Sequence, residues 1–262
     1  MLIFKKLVKL NLYATNFDSR LKQKTMLDKV ILLIIALLII LTVYIGIDNN
    51  YQKIRTSLIS PDNNWLKAEL VPESPFPLQA KAGIVIDRQT NQILYQRNVD
   101  LQLPIASLTK LMTALVVDYD QDLFNKMLIA SDNQAAEKLA KEDTISKMNQ
   151  KAKELGMDNT YFVDTTGLGP GNVSTANELV LLTEEVLKHP DLIKILGTQK
   201  YQNFENTNKL LALPTVIAGK TGFTDEAGEC LMLVTDKYIS IVLNAEDRFE
   251  QSEKLIKILD NQ

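Results

Sequence analysis

Runs with strand character stand at both ends of residues 80–262 and helical periodicity fills the stretch between them, so the sheet has to be assembled from segments far apart in the chain. At the front, 82–86 and 92–95 are apolar runs on either side of the turn-prone Gln89-Thr90-Asn91, which reads as a β-hairpin. At the back, 216–222, 229–235 and 238–244 are short β-type runs punctuated by Gly, Asp and Lys, and 249–259 closes as a helix. An α/β (α+β) domain is the expectation.

The middle begins with PIASLTKLMTAL. Leu108, Leu111, Met112 and Leu115 recur at the spacing of one buried helix face, and Pro104 suits a helix start, which predicts a helix over 107–117 with Ser107 in its first turn. Free backbone N–H groups and the positive end of the helix dipole favour an oxyanion there. Lys110 lies one turn on, within reach of the Ser107 proton if burial keeps its amine neutral. A second helix is predicted over 122–130, with Tyr119-Asp120-Gln121 turning the chain. Asp143 or Thr144 caps a third, with Ile145, Met148, Ala152 and Leu155 on one face and Gly156 ending it. Thr175 and Glu178 form a capping box for a fourth that runs through Leu187, with Leu179, Leu182, Val186 and Leu187 inward.

Ahead of this domain, 30–47 is an uncharged apolar run, long enough to span a bilayer and too long for a signal-peptide core. Lys5, Lys6, Lys9, Arg20, Lys22, Lys24 and Lys29 precede it against Asp18 and Asp28, which by the positive-inside bias keeps 1–29 in the cytoplasm. With no small-x-small cleavage site and no nearby cysteine for a lipid, 30–47 reads as a transmembrane signal anchor in the cell membrane, leaving the domain at 80–262 extracytoplasmic. Residues 48–79 carry four prolines among polar residues and little periodicity. They read as a stem, with Trp65 in a packing role, that reaches up to about 100 Å if extended. The first 29 residues hold +5, so the total of −3 leaves −8 for the rest, which disfavours nucleic acid or anionic lipid as a partner.

Ser107-x-x-Lys110 is a weak signal by itself. It gains weight from Ser131-Asp132-Asn133 and Lys220-Thr221-Gly222, which follow in that order. The hairpin and PIASLTKLMTAL, then MLIASDNQAA, MNQKAKELGMDNTYFVDTTGL, STANEL, NTNKLL and AGKTGFTDEAGECLMLV, together resemble the serine-type D-alanyl-D-alanine carboxypeptidases, the low-molecular-weight penicillin-binding proteins, over residues 80–244. The resemblance implies the penicillin-binding protein/β-lactamase-like fold, with an antiparallel sheet formed by the N- and C-terminal strands. It implies Ser107 as acylated nucleophile, Lys110 as general base, Ser131 as proton relay and Asn133 as a contact to the substrate amide. Lys220, Thr221 and Gly222 would line the cleft from a strand, and the Lys220 charge would help hold Lys110 neutral. The backbone N–H groups of Ser107 and Phe223 would hold the oxyanion. Peptidoglycan stem peptides would be the substrate and β-lactams covalent inhibitors, with no cofactor and no metal.

Two departures qualify that expectation, and one absence weighs against efficient β-lactam hydrolysis. Ser131 follows Ser107 by only 24 positions (131 − 107), much closer than is usual in the family. Helices over 107–117 and 122–130 rise about 16 Å and about 13 Å, so an antiparallel pair returns Ser131 to the Ser107 end and the shortening trims the far tip of the helical subdomain. No arginine stands between Arg97 and Arg248, so a substrate carboxylate would meet Thr221 and Lys220, with Lys200 or Lys209, which favours an endopeptidase or transpeptidase over an exopeptidase. No Glu-x-x-x-Asn pattern of the class A β-lactamase kind is present. A catalytically silent cell-wall-binding domain is the alternative of another class. His189, the one histidine, suits a helix end, Cys230 a core position and Asp164 a turn.

Overall fold

The structure, a computed structural model, describes residues 77–260. The basic segment, the apolar run and nearly all of the stem lie outside the described residues, among which no helix is long and apolar enough to cross a membrane. The packed domain takes in the last stem residues: Leu78 is buried, Gln79 N donates to Gln251 Oε1 at 2.9 Å, and Gln79 O accepts from Glu246 N.

Five antiparallel strands form the main sheet in the order β2-β1-β9-β8-β7, where β1 is Ala80–Asp87, β2 Ile93–Arg97, β7 Val216–Thr224, β8 Gly228–Thr235 and β9 Tyr238–Ala245. The hairpin and the three C-terminal strands thus pair through β1 and β9, as the distribution of strand signals required. Alternation along the strands sorts side chains between two cores. Ala82, Ile84, Ile86, Met232, Val234, Ile241 and Leu243 face the helical layer, whereas Val85, Leu231, Leu233 and Val242 face α7 (Arg248–Asp260) through Leu255 and Ile256.

The helical layer contains α1 Thr109–Val116, α2 Gln121–Ile129, α3 Asn133–Leu139, α4 Thr144–Glu154, α5 Ala176–Leu187 and α6 Pro190–Leu196. Helix α1 is its axis: Thr109 through Ala114 are all buried, because α2, α4 and α5 surround it. Asp120 accepts from Leu123 N to cap α2, and Asp132 accepts from Ala135 N to cap α3. Short strand pairs join Leu103–Pro104 (β3) to Val173–Ser174 (β4) and Lys200–Tyr201 (β5) to Phe204–Glu205 (β6).

Four local expectations are corrected. Pro104 ends β3 and does not start a helix, because pairing with Val173 claims it. Ser107 lies in a separate 3-10 turn, Ala106–Leu108, ahead of the α-helix. Ile145, assigned to the inner face of α4, is exposed, while Met148 and Ala152 are buried. The capping box at α5 is half formed: Thr175 Oγ1 accepts from Glu178 N, but the Glu178 carboxylate turns to Asn159 N, Asn159 Nδ2 and Thr160 Oγ1.

Candidate active site

The three motifs meet where the Ser107 turn crosses the edge strand β7. Ala106 is held at φ 47°, a left-handed conformation that disfavours a side chain, and this bends the chain so that Ser107 enters the helix sharply. Two glycines permit the crossing. A Cβ on Gly222 would come within 2.9 Å of Ile105 O and 3.0 Å of Ser107 N, and one on Gly167 (φ 86°) within 1.9 Å of Ala106 O. Ser107 itself keeps partial exposure, while Lys110 directly behind it is fully buried.

Lys110 Nζ lies 2.8 Å from Ser107 Oγ, 2.7 Å from Asn133 Oδ1 and 2.5 Å from Thr166 O. Of these neighbours Asn133 Oδ1 and Thr166 O can only accept. A neutral amine has two hydrogens and one lone pair, so spending both hydrogens on those acceptors leaves the lone pair for the Ser107 hydroxyl proton. Burial is the main reason the Lys110 pKa falls from 10.5 to about 8, against the opposing pull of Asp164, Asp132 and Glu137.

Ser131 closes the opposite wall. It sits just past α2 at φ 60°, with Asp132 N returning to Lys126 O, a backbone position where glycine is the easier residue. Lys220 Nζ donates to Ser131 Oγ at 2.8 Å and to Thr221 O at 2.9 Å. Burial, then the neighbouring Lys110 and Arg248 charges, hold the Lys220 pKa well below its ordinary value. Among the described residues neither Lys110 nor Lys220 has a carboxylate partner within ion-pair distance, and no hydrogen bond joins Ser131 Oγ directly to Ser107 or Lys110.

Two residues complete the wall without having been singled out in the sequence. Thr207 Oγ1 is 2.6 Å from Thr221 Oγ1, and its backbone N–H donates to Ile129 O, tying β7 to the end of α2. Arg248 Nη1 donates to Gly222 O at 2.6 Å while the guanidinium pairs with Glu229 at 3.2 Å. A guanidinium therefore does stand behind the Lys220-Thr221-Gly222 strand, supplied by α7. Its Nη1 also lies 3.4 Å from Cys230 O, so the guanidinium bridges β7 and β8 directly behind the point where Gly222 meets Ser107. The Phe223 side chain is exposed.

Other candidates fall away from this cleft. Lys200 is exposed in β5, and the Lys209 ammonium rests over the Phe249 ring. His189 is the N-cap residue of α6, before Pro190. Burial pushes the Cys230 thiol up to about 11, as befits a core residue. Among the described residues no group of three His, Cys, Asp or Glu side chains could hold a metal ion.

A family model described as D-alanyl-D-alanine carboxypeptidase, the Peptidase_S11 family, matches residues 69–122 and 119–247. The chain belongs to this family. The two matched stretches of the Peptidase_S11 model meet in the α1–α2 turn, where the short spacing between Lys110 and Ser131 placed the missing segment. Among Peptidase_S11 relatives, a D-alanyl-D-alanine endopeptidase of Pseudomonas aeruginosa is 35% identical over 219 residues, covering 63% of this chain and 71% of that protein. The D-alanyl-D-alanine carboxypeptidase DacF of Bacillus subtilis is 30% identical over 239 residues, covering 70% of this chain and 61% of that protein. The crystal structure of penicillin-binding protein D2 from Listeria monocytogenes in its cefotaxime-bound form superimposes with a TM-score of 0.65 at 32% identity, covering 70% of this chain and 98% of that one. The mixed α+β fold is thus the penicillin-binding protein fold.

Proposed function

We propose that this chain is a serine-type D-Ala-D-Ala carboxypeptidase that works on peptidoglycan stem peptides through an acyl-enzyme on Ser107. The observation that carries the reading is the hydrogen-bond inventory of Lys110, whose two acceptors leave a lone pair for one hydroxyl alone. In the reaction the Ser107 Oγ–C bond forms as its proton passes to Lys110, and the oxyanion is met by the Ser107 and Phe223 N–H groups. The scissile C–N bond then breaks, the leaving amine taking a proton through Ser131, which Lys220 orients. Asn133 contacts the substrate amide. Thr221 meets the terminal carboxylate, and the missing side chain of Gly222 admits the peptide close to Ser107. Water then releases the acyl group.

Cleavage inside a cross-link is the second reading, favoured by the endopeptidase from Pseudomonas aeruginosa at 35% identity. Penicillins would acylate Ser107 by the same geometry. Residues 30–47 would anchor the protein in the cell membrane with residues 1–29 in the cytoplasm and the peptidase outside, the charge bias and apolar length being the support.

A fluorescent penicillin is expected to label the full chain and add one ligand mass, with Ser107→Ala unlabelled. Equal labelling of that variant would refute the assignment. Purified stem pentapeptide should lose one D-alanine, and a cross-linked dimer cut instead would select the second reading.

A further inference from the structure

We infer that Asp164 is a positioning residue for Lys110: with Asn172 it locks the 164–172 loop so that the Thr166 carbonyl is held against the lysine amine. The inference rests on the acyl-transfer reading above and deepens it.

The Asp164 carboxylate is saturated by donors from its own loop. Oδ1 accepts from Thr166 N (2.7 Å), Thr166 Oγ1 (2.8 Å) and Gly167 N (2.6 Å), and Oδ2 from Gly169 N (2.8 Å) and Asn172 Nδ2 (2.7 Å). A carboxylate offers about four lone-pair sites, so these five donors leave it no free capacity. Asn172 is fully buried and closes the ring by accepting from Val163 N and Asp164 N. Burial raises the Asp164 pKa, but the donors from Gly167, Thr166 and Gly169 outweigh it and the carboxyl ends below its ordinary value.

The consequence for Lys110 follows from where the loop points. Thr166 gives both its N–H and its hydroxyl to Asp164, and its carbonyl is 2.5 Å from Lys110 Nζ. The preceding carbonyl, Thr165 O, accepts from Thr113 Oγ1 at 2.8 Å, and the following Gly167 presses on Ala106 O. One carboxylate thus sets a segment that touches α1, the amine and the turn carrying Ser107. If the Thr166 carbonyl moved, one amine hydrogen would lose its acceptor and the lone pair would no longer be aimed at Ser107. The charged groups facing Lys110 are Asp164 in this loop, Asp132 and Glu137 at α3, and Lys220 on β7.

The test is the pH dependence of acylation by a fluorescent penicillin, with thermal unfolding, on full chains carrying Asp164→Asn or Thr166→Val. An asparagine amide turns an NH2 group toward donors whichever way it flips. Asp164→Asn is expected to lower the plateau rate about 10–100-fold. It should also move the acid limb to lower pH, since a negative charge that favours protonated Lys110 is gone. Thr166→Val keeps that charge and removes two bonds, Oγ1 to Asp164 and Leu168 N to Oγ1, so a fall of about 3–10-fold with the limb in place is expected. Wild-type rates in both variants, or a lower Tm for Asp164→Asn with its acid limb unmoved, would overturn the inference. If Asp164→Asn does not fold, Thr166→Val decides by the same rate criterion. A wild-type chain that penicillin fails to acylate would overturn the acyl-transfer reading itself, and this inference with it.

Discussion

Lys220 Nζ stands 2.8 Å from Ser131 Oγ, joining strand β7 to the end of α2 across 89 residues of sequence. The bond orients a hydroxyl that the proposed mechanism uses to return a proton, while the amine behind it is fully buried and, among the described residues, has no carboxylate within ion-pair distance. Lys220→Met keeps the stem and removes the head. Penicillin acylation is expected to fall about 10²–10⁴-fold. Thermal unfolding should occur near the wild-type temperature, because the desolvation cost of the amine is removed together with its bonds to Ser131 Oγ and Thr221 O. A variant with near-normal acylation would show that Lys220 lies outside the proton path.

The rate of acylation should rise through pH about 8, the value to which burial brings Lys110. Below that pH the amine carries its proton and has no lone pair for Ser107. Stopped-flow labelling over a pH series checks this, and a rate that is level from about pH 6 to about pH 10 would contradict it.

The same depressed pKa affects stability. As pH falls from 10.5 the unfolded Lys110 takes up its proton first and the native one follows only near 8. The unfolded state therefore binds more protons within that window, and stability rises with pH across it and is level below it. The full change is about 3 kcal/mol for this group. Urea unfolding of wild type and Lys110→Met at several pH values isolates it, since surface groups cancel in the difference. Parallel pH curves for the two proteins would count against a buried, neutral lysine.

Ser131 at φ 60° places a side chain where glycine is easier. Ser131→Gly and Ser131→Ala both lose the hydroxyl, so neither should acylate at more than a small fraction of the wild-type rate. They differ in backbone strain, and the glycine variant is expected to be more stable than the alanine variant by about 1–2 kcal/mol. Equal unfolding midpoints would mean that the turn relaxes to a negative φ when the hydroxyl is removed.

Much of the framework was readable in sequence because it depends on local periodicity. The hairpin, the three C-terminal strands and helices α1, α2, α4, α5 and α7 all show apolar spacing that a chain segment displays by itself. Helix α3 escaped notice because Asn133–Leu139 is short and its buried residues are mostly alanines, and α6 because Pro190–Leu196 is also short. The misplacements have a common cause in tertiary pairing. Pro104 is claimed by Val173, Ile145 is left exposed among the described residues, and Glu178 is drawn from its cap by Asn159 and Thr160. Thr207 lay in NTNKLL, a segment that carried the family resemblance without giving this residue a role, and Arg248 lay in no motif that pointed to the cleft.

By itself the sequence determined which side chains are available: a serine one turn from a lysine, a second serine and lysine later in the chain, and glycines at the points of closest approach. It also determined that the sheet must join both ends of the domain, since strand periodicity is a property of each segment alone. Only the tertiary structure decided what those groups are chemically. The fall of the Lys110 pKa and the direction of its lone pair arise from burial and from acceptors such as Thr166 O, 56 residues away. Desolvation and hydrogen-bond geometry depend on what surrounds a group in space, and no linear spacing encodes that.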